Sequence, residues 1–120
     1  MNLDHLALVV TDQERSRLFY ETYFGFDEGP SSRYDDGTLI VRIAHGFALA
    51  LHPTETVPPG HEFTHFGFGL ANVDEVGATR KKIEEAGVKV VEVTEEPMYV
   101  SFKFLDPDGY KIEVSWEEID

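Results

Sequence analysis

An apolar strand, a helix-capping spacing, an amphipathic helix, a glycine stop and three further strand-like segments occur in that order, and the whole series then occurs again. Internal repetition of this kind constrains the fold more than any composition figure. Each copy is one supersecondary unit, too small to close a core of its own. In the first copy, residues 3–10 form a near-continuous apolar run ending in β-branched residues and read as a strand. Thr11 with Glu14 three residues later has capping-box spacing and predicts a helix start there. Leu18, Phe19 and Tyr23 give the helix an apolar stripe, and Gly25 gives it a stop. Strand-like segments follow near Phe26, at 38–44 and at 47–52, with Asp36-Gly37 and His45-Gly46 as the turns.

The second copy opens with a strand-like run at 63–70. Asn72 and Glu75 repeat the capping spacing; Val76, Thr79, Ile83 and Ala86 form the inward stripe, and Gly87 ends the helix. Strands are expected at 88–93, 99–105 and 110–116, the last two joined by the strong turn Asp106-Pro107-Asp108-Gly109. A proline-bearing loop at 53–62 separates the copies. The expected fold is α+β: two βαβββ modules, about 1–53 and about 62–120, whose sheets join into one curved, partly closed mixed sheet with the helices outside. Residues 1–120 are expected to form one domain.

Composition narrows the function. Hydrophobic residues make up 42% of the chain, enough for a real core. The formal net charge of −13 excludes a phosphate-neutralising surface, so neither nucleic acid nor an anionic membrane is an expected partner. No apolar run is long enough to cross a membrane, and the start of the chain lacks the zones of a signal peptide, so the expected location is the cytoplasm. Cysteine is absent, which removes disulfides, thiol nucleophiles and thiolate metal sites; any metal must be held by His and carboxylate.

Strand alternation then picks out candidates. In 3–10, Leu6, Leu8 and Val10 share the face suited to a helix, and His5 lies on the other with Leu3, Ala7 and Val9. In 63–70, Phe66, Phe68 and Leu70 make the helix face, and His65 lies opposite with Gly67 and Gly69. In 110–116, Glu113 is on the polar face with Lys111 and Ser115. Taken singly, each could be an ordinary surface or rim residue. At matching places in repeated modules, two imidazoles and a carboxylate suit a divalent ion such as Zn, Mn, Fe, Ni or Co, with coordination positions left for substrate oxygens.

The segments at 3–10, Tyr23-Phe24-Gly25-Phe26, Thr64-His65-Phe66-Gly67-Phe68-Gly69 and 104–113 resemble the vicinal oxygen chelate superfamily, which includes glyoxalase I, fosfomycin-resistance proteins, an epimerase, extradiol dioxygenases and bleomycin-resistance proteins. The resemblance implies paired βαβββ modules, a homodimer with sites often shared between chains, and His5, His65 and Glu113 as metal ligands. The fourth ligand found in glyoxalase I maps to Ala50, which cannot bind metal, with His52 as a substitute candidate. The 101–109 segment is similar to the fosfomycin thiol-transferase pattern, although Ala7 stands where those enzymes carry threonine, and the acidic charge disfavours an anionic drug.

Two functions follow as expectations. One is a metal-dependent, glyoxalase-like enzyme acting on a small oxygenated molecule by Lewis-acid catalysis, of isomerase, lyase, epoxide-opening transferase or dioxygenase type. His52, Tyr99 and Lys103 are its candidate substrate contacts, and no general base is nominated. The other is a bleomycin-resistance-type dimer that sequesters a cationic small molecule without chemistry; the negative charge and the acidic 117–120 tail suit it.

Overall fold

The alternation that picks out His5 also builds the first sheet. The computed structural model describes residues 1–119 and divides into two compact units, Met1–Pro58 and a second from Pro59 onward. In the first, β1 (His5–Val10) leads into helix α1 (Gln13–Phe24), followed by β2 (Ser32–Arg33), β3 (Leu39–Arg42) and β4 (Ala48–Pro53). The sheet order is β1-β4-β3-β2, with β1 parallel to β4 and the other pairs antiparallel. Register aligns Leu8, Leu51 and Leu39 in one row across three strands, and Leu6, Leu49 and Val41 in the next. All but Leu6 of these six are buried. They pack with Tyr20 and Phe26, whose rings meet edge to face.

The second unit repeats the plan. It contains β5 (Phe66–Gly69), α2 (Val73–Glu85), β6 (Val90–Glu96), β7 (Tyr99–Leu105) and β8 (Lys111–Glu117). The order is β5-β8-β7-β6, with β5 parallel to β8. Phe66, Ile112 and Phe104 share one row and Phe68, Val114 and Phe102 the next; α2 lies against β7 and β8 with Val76 and Ile83 buried. The architecture is thus α+β, with two βαβββ modules and two four-stranded mixed sheets, neither of which closes on itself. Among the described residues no helix is long and apolar enough to cross a membrane.

Several local expectations need correction. The first helix is capped by Asp12, whose side chain accepts from the Arg15 amide at 3.0 Å, while the Thr11 hydroxyl accepts from the Arg15 guanidinium. Carboxylate and hydroxyl both cap helices, and here the chain turns one residue later. The buried stripe of α1 is Ser16 and Tyr20, and Leu18 is 59% exposed. Ala86 is exposed at the end of α2. No strand forms at Phe26, which is a buried ring directly after the Gly25 stop (φ 73°); the second strand is the two-residue β2. The remaining strands except β7 differ in their ends, most of all at 88–93, where the strand is Val90–Glu96, and at 63–70, where pairing begins only at Phe66. Asn72, by contrast, caps α2 as expected, accepting from the Glu75 amide at 2.9 Å.

Candidate metal centre

Glu113 sits in the middle of β8 on the face opposite the phenylalanine rows. Its neighbours across the sheet are Gly67 on β5 and Lys103 on β7, and Lys103 in turn reaches Glu92 on β6 at 3.2 Å. Gly67 keeps the ground beside the carboxylate open. A Cβ there would lie 3.1 Å from the Glu113 carbonyl oxygen and 3.5 Å from its Cβ. The Tyr99 hydroxyl donates to Glu113 Oε2 at 2.7 Å, and Ser101 adds a second side-chain hydrogen bond. Burial pushes the Glu113 carboxyl up; these two hydrogen bonds, with the charges of Lys103 and His65, outweigh that and hold it below its ordinary value. Tyr99 responds oppositely: burial and its bond to the carboxylate raise the phenol.

His65 stands one residue before β5, with its Nε2 3.5 Å from Glu113 Oε1. Its Nδ1 is 2.9 Å from the Phe63 carbonyl. A carbonyl only accepts, so Nδ1 carries the hydrogen, and in the neutral ring Nε2 presents a lone pair to a carboxylate oxygen. A cation between the two atoms, either a proton on the ring or a metal ion, would join them. Ligand atoms each about 2.1 Å from one ion, at a near-tetrahedral angle, are roughly 3.4 Å apart. The observed separation fits that geometry, and the carbonyl on the far nitrogen is the usual outer partner of a metal-bound imidazole.

His5 opens β1 in the first unit and has the same arrangement: its Nδ1 lies 2.7 Å from Asp4 Oδ1, which leaves Nε2 outward. Its side chain and that of Asp4 are exposed. Among the described residues, no group of three His, Asp or Glu side chains stands ready to hold a metal; the pair brought together is His65 with Glu113.

The two modules can be compared by register. Glu113 stands opposite Gly67, two residues beyond His65; Ala50 stands opposite Ala7, two residues beyond His5. The position in the first module that matches Glu113 is therefore a methyl group. His52 lies further along β4, opposite Val9, and its Nδ1 is 2.9 Å from the hydroxyl of buried Thr38. Of the other two candidates, Tyr99 holds Glu113 and Lys103 is paired with Glu92. Two residues that touch the candidates, Ser101 and Asp4, carry no signal of their own in the sequence. Only strand pairing puts Ser101 beside Glu113; Asp4 was visible as the neighbour of a candidate ligand.

A family model of the Glyoxalase/Bleomycin resistance protein/Dioxygenase superfamily matches residues 2–114. The chain belongs to that superfamily. Within it, the chain is 30% identical over 115 residues to the glutathione transferase FosA of Serratia marcescens, covering 94% of this chain and 79% of that one. It is also 30% identical over 120 residues to the metallothiol transferase FosB of Lysinibacillus sphaericus, covering 93% and 79%. Among solved structures, a Bacillus cereus protein described as a possible glyoxalase superposes with a TM-score of 0.78 at 28% identity, over 95% of this superfamily member and 97% of its own chain.

Proposed function

We propose that this protein is a metal-dependent enzyme acting on a small oxygenated molecule, with His5, His65 and Glu113 as the protein ligands of one divalent ion. The observation that carries the reading is the 3.5 Å approach of His65 Nε2 to Glu113 Oε1, with the far nitrogen of the ring already engaged. His5 joins them as the third ligand, from the same chain or from the second copy of a homodimer. When bound, the ion supplies Lewis-acid polarisation of a substrate oxygen.

The chain's own residues do the rest. Tyr99 fixes the Glu113 carboxylate by holding Oε2, and Ser101 adds a further hydrogen bond, while Oε1 is the oxygen that faces His65. Phe63 and Asp4 fix the two imidazoles through Nδ1. Each sheet is kept low beside its own proposed ligand, by Gly67 next to Glu113 in one module and by Ala48 next to His5 in the other. Two relatives at 30% identity bear the names glutathione transferase and metallothiol transferase, and these favour thiol transfer over isomerisation as the reaction class.

Metal content by plasma mass spectrometry tests the reading on protein stripped and reloaded with Zn, Mn, Ni, Co or Fe. About one ion per chain is expected, with loss in His65→Ala and in His5→Ala. A correctly folded protein that holds none of these ions overturns it and leaves sequestration without chemistry as the better account. Mixing His5→Ala with His65→Ala chains checks sharing between copies. Recovery of about a quarter to half of the sites is expected, and none after verified subunit exchange places each site within one chain.

A further inference from the structure

Strand register in the first module sets His5, Ala48 and Arg42 in one row across β1, β4 and β3. With neighbouring strands about 4.8 Å apart, His5 and Arg42 stand about 10 Å from each other at their Cα atoms. Between them lies only the Ala48 methyl, and the next row along is Ala7, Ala50 and Ile40. A cavity of about 300 Å³ occupies this ground, lined by Asp4, His5, Ile40, Arg42, Ala48 and Ala50. That is the size of the smaller ligand sites.

Arg42 is held rather than free to sweep. Its Nη1 donates to the Pro30 carbonyl at 2.9 Å and to the Ser32 hydroxyl at 3.0 Å. This anchoring uses one of the three guanidinium nitrogens, so a donor-bearing edge remains. The other charged lining group, Asp4, is occupied by His5 Nδ1. A fixed guanidinium beside small apolar side chains is a good receptor for a planar or tetrahedral oxyanion, which it can bind with paired hydrogen bonds. The net charge of −13 does not oppose this, because charges beyond about 8 Å are screened at physiological ionic strength whereas Arg42 acts at contact.

The geometry points to an oxyanion subsite at Arg42, so the substrate class is a small oxygenated molecule bearing a carboxylate or phosphate group. The substrate would lie along the row, its oxyanion on Arg42 and its reacting oxygens toward His5. The orientation rests on the proposed metal role of His5; the oxyanion site itself does not.

The test uses metal-free full-length protein, with glycolate and inorganic phosphate as probes, followed through the Arg42 side-chain Nε–H signal in ¹H–¹⁵N NMR. Saturable binding that shifts this signal is expected, and the tighter probe identifies the headgroup. Arg42→Gln should weaken it about ten-fold or more, in line with the loss of a charge-assisted hydrogen bond, while leaving metal uptake unchanged. Because Arg42 also ties down Pro30 and Ser32, Ala48→Leu serves as a second variant: it fills the floor, keeps the anchor and should weaken the probe equally. Unchanged affinity in both variants, or no saturable binding to the parent protein, overturns the proposal. Arg42-dependent binding in a protein that takes up no metal would sink the metal reading alone. Full metal uptake with probe binding indifferent to Arg42 would sink the subsite alone.

Discussion

The Tyr99 hydroxyl and Glu113 Oε2 are joined at 2.7 Å across the β7–β8 pair, and the phenol reaches along the sheet to do so. Tyr99 is in register with Glu117, and Glu113 with Lys103. The bond divides the carboxylate into a held oxygen and one that faces His65. Removing it by Tyr99→Phe should lower metal affinity roughly ten- to a hundred-fold, as loss of outer-shell partners does. Competition of the variant and parent against a fluorescent chelator measures this. Unaltered affinity would show that the rotamer of Glu113 is set elsewhere.

Acid should expose the same network. The folded protein holds the Glu113 carboxyl below its ordinary value of 4.5. A carboxyl depressed in this way adds stability above its unfolded-state value, and that stability is lost as pH falls through the folded-state value. Urea midpoints of metal-free protein measured from about pH 6 down to about pH 3 should therefore decline below about pH 4.5. The part owed to this group should shrink in Tyr99→Phe. An identical pH slope for variant and parent would assign the acid sensitivity to other carboxylates.

Asp12 and Thr11 can be separated by their effect on α1. Asp12→Ala removes the side chain that accepts from the Arg15 amide and should cost about 1 kcal/mol. Thr11→Ala removes an exposed contact to the Arg15 guanidinium and should stay within about 0.5 kcal/mol. Chemical denaturation of both variants decides it, and the reverse order would restore the cap to Thr11.

Core truncations address whether the two units act as one domain. Leu51 and Ile83 are both fully buried, one in each unit. Leu51→Ala and Ile83→Ala should each cost about 2–5 kcal/mol. If residues 1–120 form a single cooperative domain, each variant should move one common thermal transition. Two separate transitions, each sensitive to one variant, would make the units independent.

The repeat was readable because its markers are local: a strand run, a capping side chain and a glycine stop fall in the same order twice. β7 was legible to the residue because Tyr99 to Leu105 alternates strongly between a Pro-Met step and the Asp-Pro-Asp-Gly turn. The misreadings have physical causes. Leu18 is apolar, but the rings of Tyr20 and Phe26 fill the space over the sheet, so the helix turns Leu18 outward. Phe26 is apolar and solitary, and a buried ring in a loop carries the same signal as a strand fragment. His5, His65 and Glu113 could be nominated from alternation combined with the repeat of the modules. Arg42 could not, because its relation to His5 exists only through pairing of β3 and β1 with the strand between them.

That intermediate strand has a consequence for how the molecule is made. In each module the first strand synthesised bonds only to the last, β1 to β4 and β5 to β8. On the ribosome, β1 therefore waits with an unsatisfied edge until residue 53 has emerged, and β5 waits until 117. Such distant pairings close slowly compared with hairpins. The row that carries His5 and Arg42, and the contact of Gly67 with Glu113, come into being only when the final strand of a module slots home. A nascent chain stalled just short of β8 would contain His5, His52 and His65, with the first module already closed, and yet lack the strand that carries Glu113 to Gly67.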